Sequence, residues 1–304
     1  MLTSINDEIK NLISSKILID EPLKKHTSFG IGGKASLYIF PENEFDLKSI
    51  LKYCHINSVQ TFFIGSGSNL LVSDNGFDGI VISLRKTFKN FLVNDELKAT
   101  IGTGVMLGNM VKVLLKKSIK GLESLVGVPG TLGGALIMNA GAYGSEISKN
   151  LISARTISSN GIIKQYLSSE IEFSYRNSSF KNDEILIDAY FKCNYGNKNK
   201  IQENKINFSN KRKQNQPLRF RSAGSIFKNP INNQPAGYLI DKTGLKGIRL
   251  GDAEISNKHA NFIINHGNAK SKNVIELIRM IQKKVLNKYK VKLELEIKLL
   301  GIEL

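Results

Sequence analysis

Apolar positions recur at helical spacing in four stretches of the chain. SINDEIKNLISSKI carries Ile5, Ile9, Leu12 and Ile13 one turn apart, and PENEFDLKSILKYC repeats the pattern with Leu47, Ile50, Leu51 and Cys54. GVMLGNMVKVLLKK puts Leu107, Met110, Val111, Leu114 and Leu115 on one stripe; NVIELIRMIQKKVLNKY does the same with Val274, Leu277, Ile278, Ile281, Val285 and Tyr289. Each predicts an amphipathic helix laid on a core. KASLYIF, TFFI, GIVISL and KATIG read as short strands set off by glycine turns. In VKLELEIKLL, Val291, Leu293, Leu295, Ile297 and Leu299 alternate with Lys292, Glu294, Glu296 and Lys298, which predicts one strand with both carboxylates on its non-core face. The mixture predicts an α+β or α/β build. After Cys193 the chain turns polar, NYGNKNKIQENKINFSNKRKQNQP, and this stretch predicts a domain boundary with a further unit starting near residue 200.

Composition changes this picture little. A chain of 304 residues, 41% hydrophobic and 23% charged, has room for two or three globular domains. Two cysteines, Cys54 and Cys193, make no disulfide framework and have no metal-ligand spacing, and MLTSINDEIK lacks the apolar core of a signal peptide, so a reducing cytoplasm is expected. The uncharged run from Ser124 to Ser145 has the length of a membrane span, but its six glycines, a proline and an asparagine make it a loop region. The formal charge of +17 raises nucleic acid as a partner; eight arginines against 35 scattered lysines argue against it, and only KRKQNQPLRFR comes close to a basic run with an aromatic. A lysine-rich field still draws anionic small molecules toward a cleft.

Candidate chemistry lies in three glycine clusters: TSFGIGG (27–33), FIGSGSNLLVSDNGFDGIVI (63–82) and GLESLVGVPGTLGGALIMNAGAYG (121–144). Glycine lets backbone N–H groups turn inward and approach an oxyanion, so a Gly/Ser loop after a strand is a natural diphosphate cradle. Any one cluster by itself reads as a turn between strands. Three of them, one bearing Asn69 and another Asn139, point to a dinucleotide or nucleotide-diphosphate site. A Rossmann fingerprint is not the source: GSGSNL has Leu70 where the third glycine is required, and GTGVMLG has one residue too many.

The motifs TSFGIGGKA, GSGSNLLVSDNGFDGIVI, GLESLVGVPGTLGGALIMNAGAYG, FSYRNSSF, SAGSIFKNP, KHANFIIN and ELEIKLLG, in this order from about residue 26 to the C-terminus, resemble the UDP-N-acetylenolpyruvoylglucosamine reductase (MurB) family. The length fits the family's compact type. The resemblance implies an α+β fold: an FAD-binding unit of two α+β subdomains of the vanillyl-alcohol-oxidase (PCMH-like) kind, residues 1–80 and 81–197, then a substrate-binding domain, residues 198–304, whose last strand is free to pack back on the first subdomain. It implies non-covalent FAD, NADPH as hydride donor, a UDP-sugar enolpyruvyl ether as substrate, and a monomer with no nucleic-acid partner. No metal is expected, because His26, His55 and His266 have no ligand spacing.

For the FAD the resemblance implies Gly65, Ser66, Gly67, Ser68, Asn69 and Leu70 in the second cluster, and Gly130, Thr131, Gly133, Gly134, Asn139, Ala140 and Gly141 in the third. It implies three catalytic residues. Arg176 is the cation on the substrate carboxylate, Ser225 the proton donor, and Glu296 the third position. Read from the residues alone, Arg176 is a surface ion-pair partner, Ser225 a turn or cap serine, and Glu296 an exposed strand carboxylate that neighbours the similar Glu294. Lys228 and Asn229 are implied substrate ligands, Lys213 a diphosphate ligand. Tyr175, alternating with Phe173, reads as core. His259 is open between a core histidine and a functional one. The family's arginine falls at Lys298, where lysine cannot copy a two-point contact. The rival readings are another FAD-dependent sugar or alcohol oxidoreductase, often with flavin tethered to a histidine that these clusters lack, and a basic nucleic-acid-binding protein.

Overall fold

The computed structural model describes residues 2–181, 183–231 and 233–303. Contacts divide the chain into two units that interleave in sequence: Met1–Asp20, Ser36–Ser66 and Asp78–Asn210 form the first, and Glu21–Ala35, Gly67–Phe77 and Lys211–Leu304 the second. The expected divisions after residues 80 and 197 follow the chain; these units follow its contacts. Segments 21–35 and 67–77 join the C-terminal part.

In the first unit, α1 (Leu2–Leu12) and α2 (Glu44–Ile56) flank a four-stranded sheet in the order Lys16–Pro22, Lys34–Phe40, Phe77–Ser83, Thr61–Ile64. Asn43 caps α2, its side chain accepting from the Asp46 amide at 2.9 Å. Ile9, Leu47, Ile50, Leu51 and Cys54 are buried against Leu37, Ile39, Ile80 and Ile82, so α2 buries its predicted face, whereas of the face predicted for α1 Ile9 is buried, Ile5 and Ile13 are partly buried and Leu12 is exposed. A five-stranded sheet carries the other core, in the order Ile163–Leu167, Leu151–Ser158, Glu184–Lys192, Lys98–Gly102, Phe91–Val93. On it lies α3 (Leu107–Lys116), which buries its whole predicted stripe, followed by the short α4 (Leu132–Ile137). Arg155 and Asp188 face each other across that sheet as an ion pair.

The polar stretch after Cys193 is not a bare linker. Lys198–Asn215 forms α5, with only Ile201 buried, and Asn197 accepts from the Lys200 amide at 3.1 Å at its start. Lys, Gln and Glu are good helix formers even without an apolar face, which the polarity argument overlooked.

In the second unit, α6 (Ala236–Asp241) and α7 (Ser271–Tyr289) pack on a three-stranded sheet, Arg249–Leu250, Ala253–Ile255, Ile263–Asn265. Val274, Leu277, Ile278, Ile281 and Val285 are buried there, as their spacing predicts. The segment expected as one strand from 291 to 299 is ladder-paired only at Lys298–Leu300, parallel to Leu70–Val72. Farther upstream it touches the Ser225 segment through a single bridge, Phe227 to Leu295. Its alternation persists in burial, with Leu293 and Ile297 buried and Lys292, Glu294 and Lys298 exposed. Glu296 is the exception on the polar side: it is half-buried, whereas the Glu294 side chain is 74% exposed.

Candidate active site

Within the first unit, two of the glycine clusters abut. Gly65, at the end of Thr61–Ile64, lies so close to Thr131 that a Cβ would overlap its hydroxyl. The Thr131 segment runs beside residues 103–107: Leu107 donates to Gly130 O at 2.9 Å, Leu132 to Val105 O at 2.9 Å, and Gly133 to Thr103 O at 3.0 Å. Gly133 and Gly134 then enter α4. The chain emerges at Asn139, fully buried and in the left-handed region at φ +40°. Its Nδ2 donates to Glu146 Oε2 and to Ser174 O, both at 3.1 Å.

Arg176 belongs to the same loop system. It sits in the two-residue turn joining Phe173–Ser174 to Asn177–Ser178, at φ +58°, a conformation that costs a non-glycine residue roughly 1–2 kcal/mol. Its Nη2 donates to Gly141 O at 2.9 Å and its guanidinium lies 4.9 Å from the centre of the Tyr175 ring. Tyr175 is 41% exposed, which corrects its reading as core; the turn reverses the chain before the alternation reaches it. Ala140 is tied down from both sides, donating to Ala135 O at 2.7 Å and accepting from the Ile147 amide at 2.9 Å.

Seven buried side-chain atoms in this unit have no hydrogen-bond partner among the described residues, and three of them are Ser66 Oγ, Ser124 Oγ and Asn139 Oδ1. Leaving such a group unpaired costs about 1–3 kcal/mol. These three lie in the second and third glycine clusters, where a bound group rich in donors and acceptors would satisfy them; the other four, on Asn6, Ser83, Thr156 and Glu184, lie outside the clusters. By this measure the residues present fit an FAD. Ser124 escaped the sequence reading: a serine between Glu123 and Leu125 carries no spacing signal.

Within the second unit the first cluster abuts the remainder of the second. Ser28 donates to Gly67 O at 2.9 Å, and Gly67, at φ +63°, leaves no room for a Cβ beside His26 O. Asn69 Nδ2 donates to Glu296 O at 3.0 Å, and Lys298 donates to Asn69 O at 3.0 Å. The Asn69 side-chain nitrogen is thus engaged with the backbone of Glu296. Ser68 is half-buried, and Leu70 is buried at the start of Leu70–Val72.

The segments that follow Ser225 and surround Glu296 are joined through their backbones: the Glu296 amide donates to Ile226 O at 2.8 Å, and the Lys228 amide to Glu294 O at 2.9 Å. Ser225 is half-buried and its hydroxyl bonds to no described residue, which is not how a capping serine behaves. Lys228 Nζ stands 3.8 Å from Glu294. Asn229 accepts from the Ala236 amide at 3.0 Å, which leaves its Nδ2 for other use. Lys213 is exposed near the end of α5, where its carbonyl accepts from Lys258 Nζ at 2.7 Å.

His259 is packed against Gly237 and Phe262, and burial holds its imidazole below the ordinary histidine value, so it is neutral near pH 7. Its Nδ1 accepts from the Asn261 amide at 3.3 Å. Both cysteines are buried free thiols, with burial pushing Cys54 up to about 12, far from nucleophilic. Among the described residues no helix is long and apolar enough to cross a membrane.

Comparison with known proteins decides what this scaffold is. Residues 216–300 match the family model "UDP-N-acetylenolpyruvoylglucosamine reductase, C-terminal domain", and residues 35–166 match "FAD binding domain". The UDP-N-acetylenolpyruvoylglucosamine reductase of Clostridioides difficile is 41% identical over 293 residues, 96% of each chain. The chain belongs to the UDP-N-acetylenolpyruvoylglucosamine reductase family. The enzyme of that name from Bacillus pumilus is 38% identical over 304 residues, 99% of this chain and 100% of its own. The crystal structure of the reductase from Thermus caldophilus superposes with a TM-score of 0.81 at 33% identity, covering 95% of this chain and 100% of that one. As a member of the family the protein is an FAD-dependent oxidoreductase of α+β fold.

Gly67→Ala is expected to weaken flavin binding while leaving the fold. The positive φ alone disfavours alanine by roughly 1–2 kcal/mol, and the clash with His26 O is relieved only by moving the loop. Flavin retained through desalting, read by absorbance, checks this. Wild-type flavin content would show that the loop does not touch the cofactor.

Proposed function

We propose that the protein reduces UDP-N-acetylglucosamine enolpyruvate to UDP-N-acetylmuramate with NADPH, a step in peptidoglycan precursor synthesis, acting as a cytoplasmic monomer. Bound FAD supplies the redox chemistry, relaying a hydride from NADPH to the enolpyruvyl methylene carbon. The rest falls to side chains. Hydride addition leaves an electron pair on the neighbouring carbon, spread into the carboxylate as an enolate, so the protein must hold that carboxylate and deliver one proton to that carbon.

Arg176 is assigned to the carboxylate, because its planar fork binds two oxygens at once. Ser225 is assigned the proton transfer and Glu296 the support of the enolate. Lys228, Asn229 and Lys213 are assigned to the anionic UDP-sugar. The observation that carries this reading is the Glu296 amide bonded to Ile226 O, which sets the serine and glutamate segments side by side although 71 residues separate the two positions. The partial burial of Glu296 against the open exposure of Glu294 supports the choice between the two carboxylates.

An anaerobic titration in two steps tests the proposal. NADPH should bleach the yellow protein, and the enolpyruvyl UDP-sugar should then restore the oxidised spectrum in equal amount. A flavin that NADPH reduces but this substrate leaves reduced would refute the assigned substrate.

A further inference from the structure

Asn261 lies in KHANFIIN, a motif that the assigned chemistry does not use. Its side chain is 4% exposed, so it cannot be a surface ligand. Each of its polar atoms is nevertheless committed. Oδ1 accepts from the Phe227 amide at 2.9 Å and Nδ2 donates to Phe227 O at 2.8 Å, so one carboxamide closes a ring with one residue's backbone, as a neighbouring strand would. Its own carbonyl accepts from the Ile226 amide at 2.8 Å. Its own amide donates to His259 Nδ1.

Four backbone groups of Ile226 and Phe227 are thereby accounted for: both amides and the Phe227 carbonyl go to Asn261, and the Ile226 carbonyl goes to the Glu296 amide. Immediately upstream, Gly224 and Ser225 make no such backbone bonds to described residues, with Ala223 before them buried in the core. Gly224 is at φ +81° with nothing within 4 Å of the place a Cβ would take, and the Ser225 hydroxyl bonds to no described residue. A serine placed between a glycine and two clamped residues takes its position from the clamp.

We infer that Asn261 is a positioning residue for proton delivery: by holding Ile226 and Phe227 from one side while Glu296 holds Ile226 from the other, it sets where the Ser225 hydroxyl stands. The inference rests on the reading of Ser225 as proton donor. It concerns placement only, since Asn261 touches none of the reacting atoms. A displacement of about 1 Å in a catalytic group is enough to cost on the order of a hundredfold in rate.

Asn261→Asp keeps the acceptor for the Phe227 amide and loses the donor to Phe227 O; Asn261→Ser is the second, uncharged variant. Both are studied as flavin-loaded full chains, with each half-reaction followed anaerobically by stopped flow. The expected result is bleaching by NADPH within about twofold of wild type and reoxidation by the enolpyruvyl UDP-sugar slowed about ten- to a hundredfold. In a Ser225→Ala background the same substitution should slow reoxidation by no more than about twofold further, because the group it positions is already gone. Multiplying losses in that double variant, with Ser225→Ala itself slow, would overturn the inference and leave the donor reading intact. Reoxidation at the wild-type rate in Ser225→Ala would remove the donor reading and the inference with it. Equal slowing of both halves, or loss of bound flavin in both Asn261 variants, would show a purely structural residue and overturn the inference as well.

Discussion

Ser225→Ala is expected to bleach normally with NADPH and to reoxidise with the enolpyruvyl UDP-sugar about 10²- to 10⁴-fold more slowly, the usual weight of a positioned proton donor. The structure sharpens this expectation. A serine that served as a turn or cap residue would hold a backbone amide, and its removal would destabilise the protein by about 1 kcal/mol. The Ser225 hydroxyl holds no described group, so Ser225→Ala should melt at nearly the wild-type temperature. The pair of measurements separates the two readings. Slow reoxidation with unchanged melting supports a working hydroxyl, and a lowered melting point with both half-reactions slowed alike would return Ser225 to the turn.

Arg176→Lys is expected to damage the same half-reaction, by about 10²- to 10³-fold, the usual loss when a donor to a developing oxyanion is removed. The charge stays, but two features go. Lysine cannot grip a carboxylate at two points, and it cannot reproduce the bond from Nη2 to Gly141 O that braces the guanidinium against the third glycine cluster. The backbone at φ +58° disfavours lysine as much as arginine, so stability should change little and the comparison isolates the side chain. Bleaching by NADPH should stay near wild type, since that half involves no substrate carboxylate. Turnover like that of wild type would remove Arg176 from the site. The left-handed turn itself is the kind of local strain that persists where surrounding structure holds a functional side chain in place.

Much of this protein is legible along the chain because helices and glycine turns are local. Leu107, Met110, Val111, Leu114 and Leu115 announce α3 by spacing alone, and the same residues are the buried ones. The glycine clusters announce close backbone approach, and Gly65 and Gly67 meet Thr131 and His26 in just that way. Local reasoning fell short at the polar stretch after Cys193, which it marked as a domain boundary without seeing the helix α5, and where alternation was taken for a continuous strand, at 291–297. It also failed at Tyr175, since a two-residue reversal leaves no mark on a period-two pattern.

By itself the sequence determined the helices, the short strands, the glycine-rich loops and the order of motifs that marks the family, all of which depend on residues near one another in the chain. Only the tertiary structure decided that segments 21–35 and 67–77 associate with the C-terminal part, that Asn69 spends its amide on the Glu296 carbonyl, and that Asn261 clamps the residues following Ser225. The reason is physical. Each of those facts is a hydrogen bond or packing contact between residues 34 to 227 positions apart, and no periodicity records which distant donor will find which acceptor.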